Sequence, residues 1–233
     1  MGTIAGNDPL LDPAWSALAT EHAHFAVGDG QARRYPADVV PFAAVADNNA
    51  DTLTKLGKLL AAGEHVYVFG PKPVGTSGIK VGPALNCYQM LGPSSLPVET
   101  GADRIQIVPM SAKDARAMVA LTTLAFPGFF RTRTYEMGSY YGIRVDGELV
   151  AMGGERLCLP GIREISAVVT RPGHTGKGYA HRLMTHLLGE HASAGVRSFL
   201  HVNVLNSRAI ALYERMGFTT ARTIALWPVA RAS

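Results

Sequence analysis

Val168-Val169-Thr170, then His174-Thr175-Gly176-Lys177-Gly178-Tyr179-Ala180, opens the stretch that decides the fold, which runs on to Phe218. It reads as a strand ending at Thr170, a glycine turn and a long amphipathic helix. Ala180, Leu183, Met184, Leu187, Leu188 and His191 recur at i, i+3, i+4, i+7, i+8 and i+11, a single buried stripe that Gly195 stops. Gly176 and Gly178 therefore sit at the helix mouth. The first N–H groups of a helix have no intrahelical acceptor, and the macrodipole is positive there, so such a mouth can cradle an anion. Glycine lets a phosphate approach the backbone with no Cβ in the way, and Lys177 adds positive charge. The same residues also suit a turn that merely joins strand to helix. A Walker loop is excluded because Gly178, not Ser or Thr, follows Lys177; a dinucleotide fingerprint is excluded because His181 stands three residues after Gly178.

One strand later, Phe199 to Val204, comes the run Asn206-Ser207-Arg208-Ala209-Ile210-Ala211-Leu212-Tyr213-Glu214-Arg215-Met216-Gly217-Phe218. Asn206 suits an N-cap and Gly217 a C′ position. Tyr213 is open to two readings, an aromatic packed beside Ala209 and Met216 or a proton donor serving the cradle.

Gly178-Tyr179-Ala180 matches the end of the R/Q-x-x-G-x-G/A signature, and Asn206, Ala209, Tyr213, Gly217 and Phe218 match N-x-x-A-x-x-x-Y-x-x-x-G-F. In that order and spacing they resemble the acyl-CoA site of the GNAT N-acetyltransferase superfamily, over about 125 residues from Arg104 to Pro228. The resemblance is to the branch in which an N-terminal α/β half precedes the acetyltransferase domain. It implies an α/β (α+β) GNAT acyltransferase fold: a mixed, mostly antiparallel sheet splayed between two central parallel strands, Glu164–Thr170 and Phe199–Val204. It also implies an enzyme that moves acetyl from acetyl-CoA, its co-substrate, to a primary amine of a small molecule or protein by direct attack. The alternative is an acyl-CoA-binding module without turnover.

The implied cofactor-binding set is Val168, Val169, Thr170, His174, Thr175, Gly176, Lys177, Gly178, Tyr179, Ala180 and Asn206. N–H groups from about Thr175 to Ala180 would hold the pyrophosphate, the strand residues and Asn206 the pantetheine arm. Tyr213 would protonate the departing thiolate. Glu164, the one carboxylate on the central strand, is the expected base, or else a solvated strand end beside Arg163. Thr175 departs from the Arg or Gln of the signature, removing a side-chain phosphate contact that His174 and Lys177 can replace.

The remaining chain reads as two domains, 1–100 and 101–233. Residues 1–100 carry 6 Lys+Arg against 9 Asp+Glu, net −3; residues 101–233 carry 16 against 9, net +7. A basic half fits a polyanionic ligand such as CoA. No basic run laced with aromatics is present, which argues against nucleic acid. Two cysteines, Cys87 and Cys158, give no disulfide framework and imply a reducing compartment. With no apolar run of membrane-spanning length and no signal-peptide pattern, a soluble cytoplasmic protein without a membrane partner is expected. No metal site is expected, because His181, His186 and His191 recur every five residues and do not share a helix face. The N-terminal half is read as a small α/β unit: strands Phe42–Ala46, His65–Phe69 and Leu85–Leu91, and a helix capped by Asn49 or Asp51. It can line the acceptor pocket, pack as a degenerate sister domain, or form a homodimer. Gly92 to Gly101 is the best linker. The segment around Phe129, Phe130, Arg131, Arg133, Tyr140 and Tyr141 either selects the acceptor or packs.

Overall fold

The computed structural model describes residues 8–93 and 105–232. Along the chain the elements are α1 (Pro13–Ala19), β1 (Val27–Gly28), β2 (Ala32–Arg34), β3 (Ala43–Val45), α2 (Ala50–Lys58), β4 (His65–Phe69), β5 (Ile79–Val81), β6 (Leu85–Leu91), β7 (Ile107–Pro109), α3 (Ala115–Thr123), β8 (Tyr140–Val145), β9 (Glu148–Leu159), β10 (Ile162–Thr170), α4 (Tyr179–Ser193), β11 (Arg197–Asn203), α5 (Ser207–Arg215) and β12 (Thr219–Arg231). They form two compact units. One takes in Met1–Tyr35, Pro41–Leu85 and Ile224–Ser233; the other takes in Pro36–Val40 and Asn86–Thr223.

This partition differs from a single break near residue 100, and the reason is strand pairing. Phe199–Asn203 of β11 runs antiparallel to Cys87–Leu91 of β6. At the other end of the chain, Leu226–Ala230 of β12 pairs with His65–Phe69. Most of the linker read at Gly92–Gly101, and Arg104 at the start of the next strand, lie outside the described residues.

In the first unit, Asn49 caps α2 by accepting from the N–H groups of Asp51 and Thr52, and Leu53 and Leu56 are fully buried against Ala43, Val66, Val68 and Val229. Strands β1, β2 and β5, each three residues or fewer and only partly apolar, are too short to leave a periodic signal in the sequence.

The second unit carries a sheet ordered β6-β11-β10-β9-β8-β7. Among the described residues β10–β11 is the parallel pair of this sheet, and the other pairings are antiparallel. Asp146 and Gly147, both at positive φ, make the tight turn between β8 and β9. On one face α4 packs through Met184, Leu187 and Leu188 onto Ile165, Leu200 and Val202, together with Tyr213, Met216 and Phe218. On the other, Met118 and Leu121 of α3 cover Phe130, Tyr140, Met152, Ala167 and Val169. The sequence pattern predicts a strand over Arg104–Val108 and a helix from Ala112. The strand is Ile107–Pro109, and Ala112–Asp114 is a 3-10 turn before α3.

Two irregularities in this sheet shape the site. The β10–β11 pairing stops at Glu164↔Phe199, beyond which no register joins the two strands. Within β10 the register against β9 shifts between Ser166 and Val169, and Ala167 adopts φ 53. A β-bulge inverts the side-chain alternation that follows it. Thus Ile165 faces the α4 core before the bulge, and Val168 packs against the same core after it.

Candidate functional site

The separation of β10 from β11 leaves a V-shaped gap with the α4 mouth at one side and α5 at the other. A cleft of about 560 Å³ lies here, walled by Val168–Thr170 of β10, the turn at His174–Ala180 and the α5 face of Asn206, Ala209, Leu212 and Tyr213. Ten of the eleven residues read from the sequence as cofactor contacts line it; Lys177 is exposed and does not.

The turn is built from backbone. Gly176 and Gly178 have φ 81 and 77, and open space lies where a Cβ on either would point. Gly178 is the N-cap of α4 and no side chain caps this helix end, which is what an anion-receiving N-terminus requires. Thr175 is exposed, as is Lys177. The imidazole of His174 lines the cleft with a buried Nδ1 that has no protein hydrogen-bond partner. Besides Tyr213, six further residues line the cleft, the apolar Ala125, Ala209 and Leu212 and the polar His181, Arg208 and Arg215, none of them expected as a contact from sequence. Arg208 and Arg215 lie within the Asn206–Phe218 motif but at its variable positions, so their type carried no signal.

Asn206 caps α5, its side-chain oxygen accepting from the Ala209 N–H at 3.1 Å. Tyr213 is on the buried side of that helix, packed near Phe218 with ring centroids 5.9 Å apart, and it also reaches the cleft. Burial pushes its phenol up to about 12, so it holds its proton throughout the neutral range.

Glu164 is not brought to the cleft. Neither the solvated strand end nor a base at the reaction centre describes it: its side chain is 0% exposed, and Arg156 Nη2 and Nε reach its two oxygens at 2.5 and 3.0 Å. His201 Nδ1 lies 2.7 Å from the same carboxylate, and its Nε2 lies 3.1 Å from the Gln89 amide. Burial pushes the carboxyl upward, but Arg156, His201 and their hydrogen bonds outweigh it and hold Glu164 at about 2. An ionised carboxylate already paired with a guanidinium and hydrogen-bonded to an imidazole is a poor proton acceptor. The sequence missed the arrangement because its members come from four strands.

The other residues singled out in the sequence lie outside this cleft. Phe130 and Tyr140 meet edge to face in the α3 core, with centroids 5.4 Å apart. Tyr141 lies against His186 and donates to Glu190, while Arg133 pairs with Glu136 and Asp38. None of these residues, nor Phe129 or Arg131, lines the cleft. His191 of α4 is buried against the sheet, Nε2 2.9 Å from Glu155 and Nδ1 2.7 Å from Ser198 Oγ. Cys87 and Cys158 are free, buried thiols that burial pushes up to about 11 and about 12, which leaves them unreactive. Among the described residues no His, Cys, Asp and Glu cluster suits a metal ion, and no helix is long and apolar enough to cross a membrane.

A β-bulge beside a splayed parallel pair, a glycine-built helix mouth and an Asn-to-Tyr helix across the gap are together the arrangement the motifs led us to expect. The model of the acetyltransferase (GNAT) family matches residues 112–218. A structure assigned to the GNAT acetyltransferases, from Novosphingobium aromaticivorans, is 30% identical over 97% of this chain and 100% of its own, with a TM-score of 0.87. The chain belongs to the GNAT acetyltransferase family. It is therefore an acyltransferase, and its likeness to that structure extends through the N-terminal half. A GCN5-related N-acetyltransferase from Kribbella flavida, 17% identical over 91% of this chain and 95% of its own, shares the fold at a TM-score of 0.62. No curated protein matches the chain in sequence.

Proposed function

We propose that this GNAT protein transfers an acetyl group from acetyl-CoA to a primary amine. The observation that carries the reading is the cleft itself, with uncapped helix N–H groups at one wall and the Tyr213 phenol at the other. The N–H groups at the start of α4, with Gly176 and Gly178, receive the diphosphate, and His174 and Arg208 supply donors and charge nearby. The pantetheine arm runs along Val168–Thr170, a stretch paired with β9 on one side through Val169 and Thr170 and without register to β11 on the other, the edge an extended ligand would bond. The same residues fit acetyl-CoA in size and chemistry: polar and cationic at the diphosphate end, apolar toward Val168, Ala209 and Leu212.

The amine nitrogen attacks the thioester carbonyl carbon, the carbon–sulfur bond breaks, and the acetyl group leaves with nitrogen. Backbone N–H groups of Val168 and Val169, which line the cleft just after the bulge, are the donors assigned to the developing oxyanion. Tyr213 donates its hydrogen bond and then its proton to the departing sulfur. A free thiol near pKa 8.5 would be too acidic to take that proton from a phenol at about 12. Desolvation of the departing sulfur narrows that gap, and Tyr213 afterwards recovers its proton from the solvent. The residues lining the cleft include no carboxylate. We therefore assign no side chain as base: the neutral fraction of the amine is the nucleophile, and its surplus proton passes to water.

The test uses purified full-length protein. Acetyl-CoA should raise the melting temperature by mass action, and a panel of primary amines should release free CoA thiol above background. For each productive amine, kcat/KM should rise with pH along that amine's own ionisation. Stabilisation by acetyl-CoA with no turnover for any amine would instead favour an acyl-CoA-binding module.

A further inference from the structure

We propose that the buried chain Arg156–Glu164–His201–Gln89 is a clamp that sets the width of the β10/β11 fork, making Glu164 and His201 positioning residues for the pantetheine arm. The inference rests on the acetyl-CoA reading of the cleft. Three facts of geometry carry it. Backbone pairing between the two strands ends at Glu164↔Phe199, so Glu164 stands at the crotch of the fork. His201 lies two residues beyond that point on β11 and reaches back to the Glu164 carboxylate at 2.7 Å. The chain then extends sideways on both flanks, to Arg156 on β9 and to Gln89 on β6, where Gln89 and His201 are also backbone register partners. One side-chain chain thus spans four adjacent strands across the place where the sheet opens.

The energetic case follows from burial. The side chains of Glu164 and His201 are 0% and 2% exposed. A carboxylate buried this deeply is tolerable only when its partners stay in place, because an unmatched buried charge is far costlier than a strained angle. The paired guanidinium fixes both carboxylate oxygens in one plane, and that fixes where His201 Nδ1–H must point. Beyond the crotch, the backbone bonds that would otherwise hold β11 at its spacing from β10 are gone. His201 replaces them with one short, charge-assisted bond. On the opposite face His191 joins Glu155 of β9 to Ser198 of β11 below the crotch, so the spread starts from a fixed base.

The experiment compares two ligands on wild type and on His201→Gln, which leaves the Arg156–Glu164 pair matched. One ligand is acetyl-CoA. The other is 3′-phosphoadenosine 5′-diphosphate, which carries the nucleotide and diphosphate but no pantetheine arm. Titration calorimetry on the variant should show acetyl-CoA weakened about tenfold and the fragment unchanged, with KM rising more than kcat falls. Equal affinity of variant and wild type for acetyl-CoA overturns the clamp. So does a parallel loss of both ligands, which means general damage. A second variant, Glu164→Gln with Arg156→Met, removes both charges together and should show the same split if His201→Gln does not fold. Wild type that binds neither ligand defeats the acetyl-CoA reading itself, a result distinct from any failure of the clamp.

Discussion

The mouth and the crotch of the β10/β11 fork are made by opposite means. At the mouth, Gly176 and Gly178 are exposed, no side chain caps α4, and backbone N–H groups do the presenting. At the crotch, Glu164 is wholly buried and held by two side chains from neighbouring strands, Arg156 and His201. The mouth therefore tolerates changes of side chain as long as no Cβ intrudes at the positive-φ positions. The crotch tolerates changes only in matched sets. Local chain geometry governs one, long-range charge pairing the other.

The largest effect that would test this contrast is on stability. Glu164→Ala leaves the Arg156 guanidinium, whose side chain is 14% exposed, without its partner. The expected loss is about 3–5 kcal/mol in denaturant unfolding. Removing Arg156 as well, with Met in its place, should recover most of it. The pH dependence has a definite sign. The Glu164 carboxyl sits at about 2 in the fold, below the unfolded value near 4.3, so its contribution is full above about pH 4.3 and lost as pH falls toward about 2. The double variant should lack this component of the acid unfolding curve. A loss below about 1 kcal/mol for the single variant would mean the crotch is not the rigid region.

Next in size is catalysis. Tyr213→Phe should lower kcat about a hundredfold with little change in acetyl-CoA affinity, since the ring still packs near Phe218 and only the hydroxyl is lost. Because burial holds the phenol at about 12, no loss of activity assignable to tyrosine ionisation should appear up to pH 10. Affinity lost with kcat intact would assign Tyr213 to binding. Gly178→Ala is smaller, about tenfold weaker acetyl-CoA binding by calorimetry, because φ 77 disfavours any Cβ and the methyl points into the space a ligand would take. Unchanged affinity would show that the mouth does not receive the diphosphate.

The mouth was legible in the sequence and the crotch was not, for the same physical reason. Gly176, Gly178, Asn206 and Gly217 sit where backbone geometry demands particular residue types, so their spacing alone marks a helix start and a helix end. The helix stripe from Leu183 to His191 and the strands from Tyr140 to Asn203 were readable because amphipathic periodicity is local. Arg156, His201 and Gln89 lie 8, 37 and 75 residues from Glu164 along the chain. Only strand order brings them together, and strand order is not written in any window of sequence. The bulge at Ala167 was hidden for a related reason. Alternation before it points Glu164 away from α4, and a reading that treats β10 as one regular strand cannot tell where that parity reverses.

Thr175 offers the subtlest probe of the difference. The residue is exposed at the mouth, beside His174, where the family signature places Arg or Gln. If backbone presentation dominates there, Thr175→Arg adds only a screened surface charge, worth about 0.2–1 kcal/mol. Acetyl-CoA affinity should then improve about two- to fivefold at low ionic strength. The gain should vanish in molar salt, where the Debye length shrinks to about 3 Å. kcat should stay as it was, since nothing at Tyr213 or the bulge has moved. A gain that persists in high salt, or that exceeds tenfold, would show a direct bidentate contact with the diphosphate. In that case the mouth, like the crotch, is governed by side-chain charge, and the contrast between the two collapses.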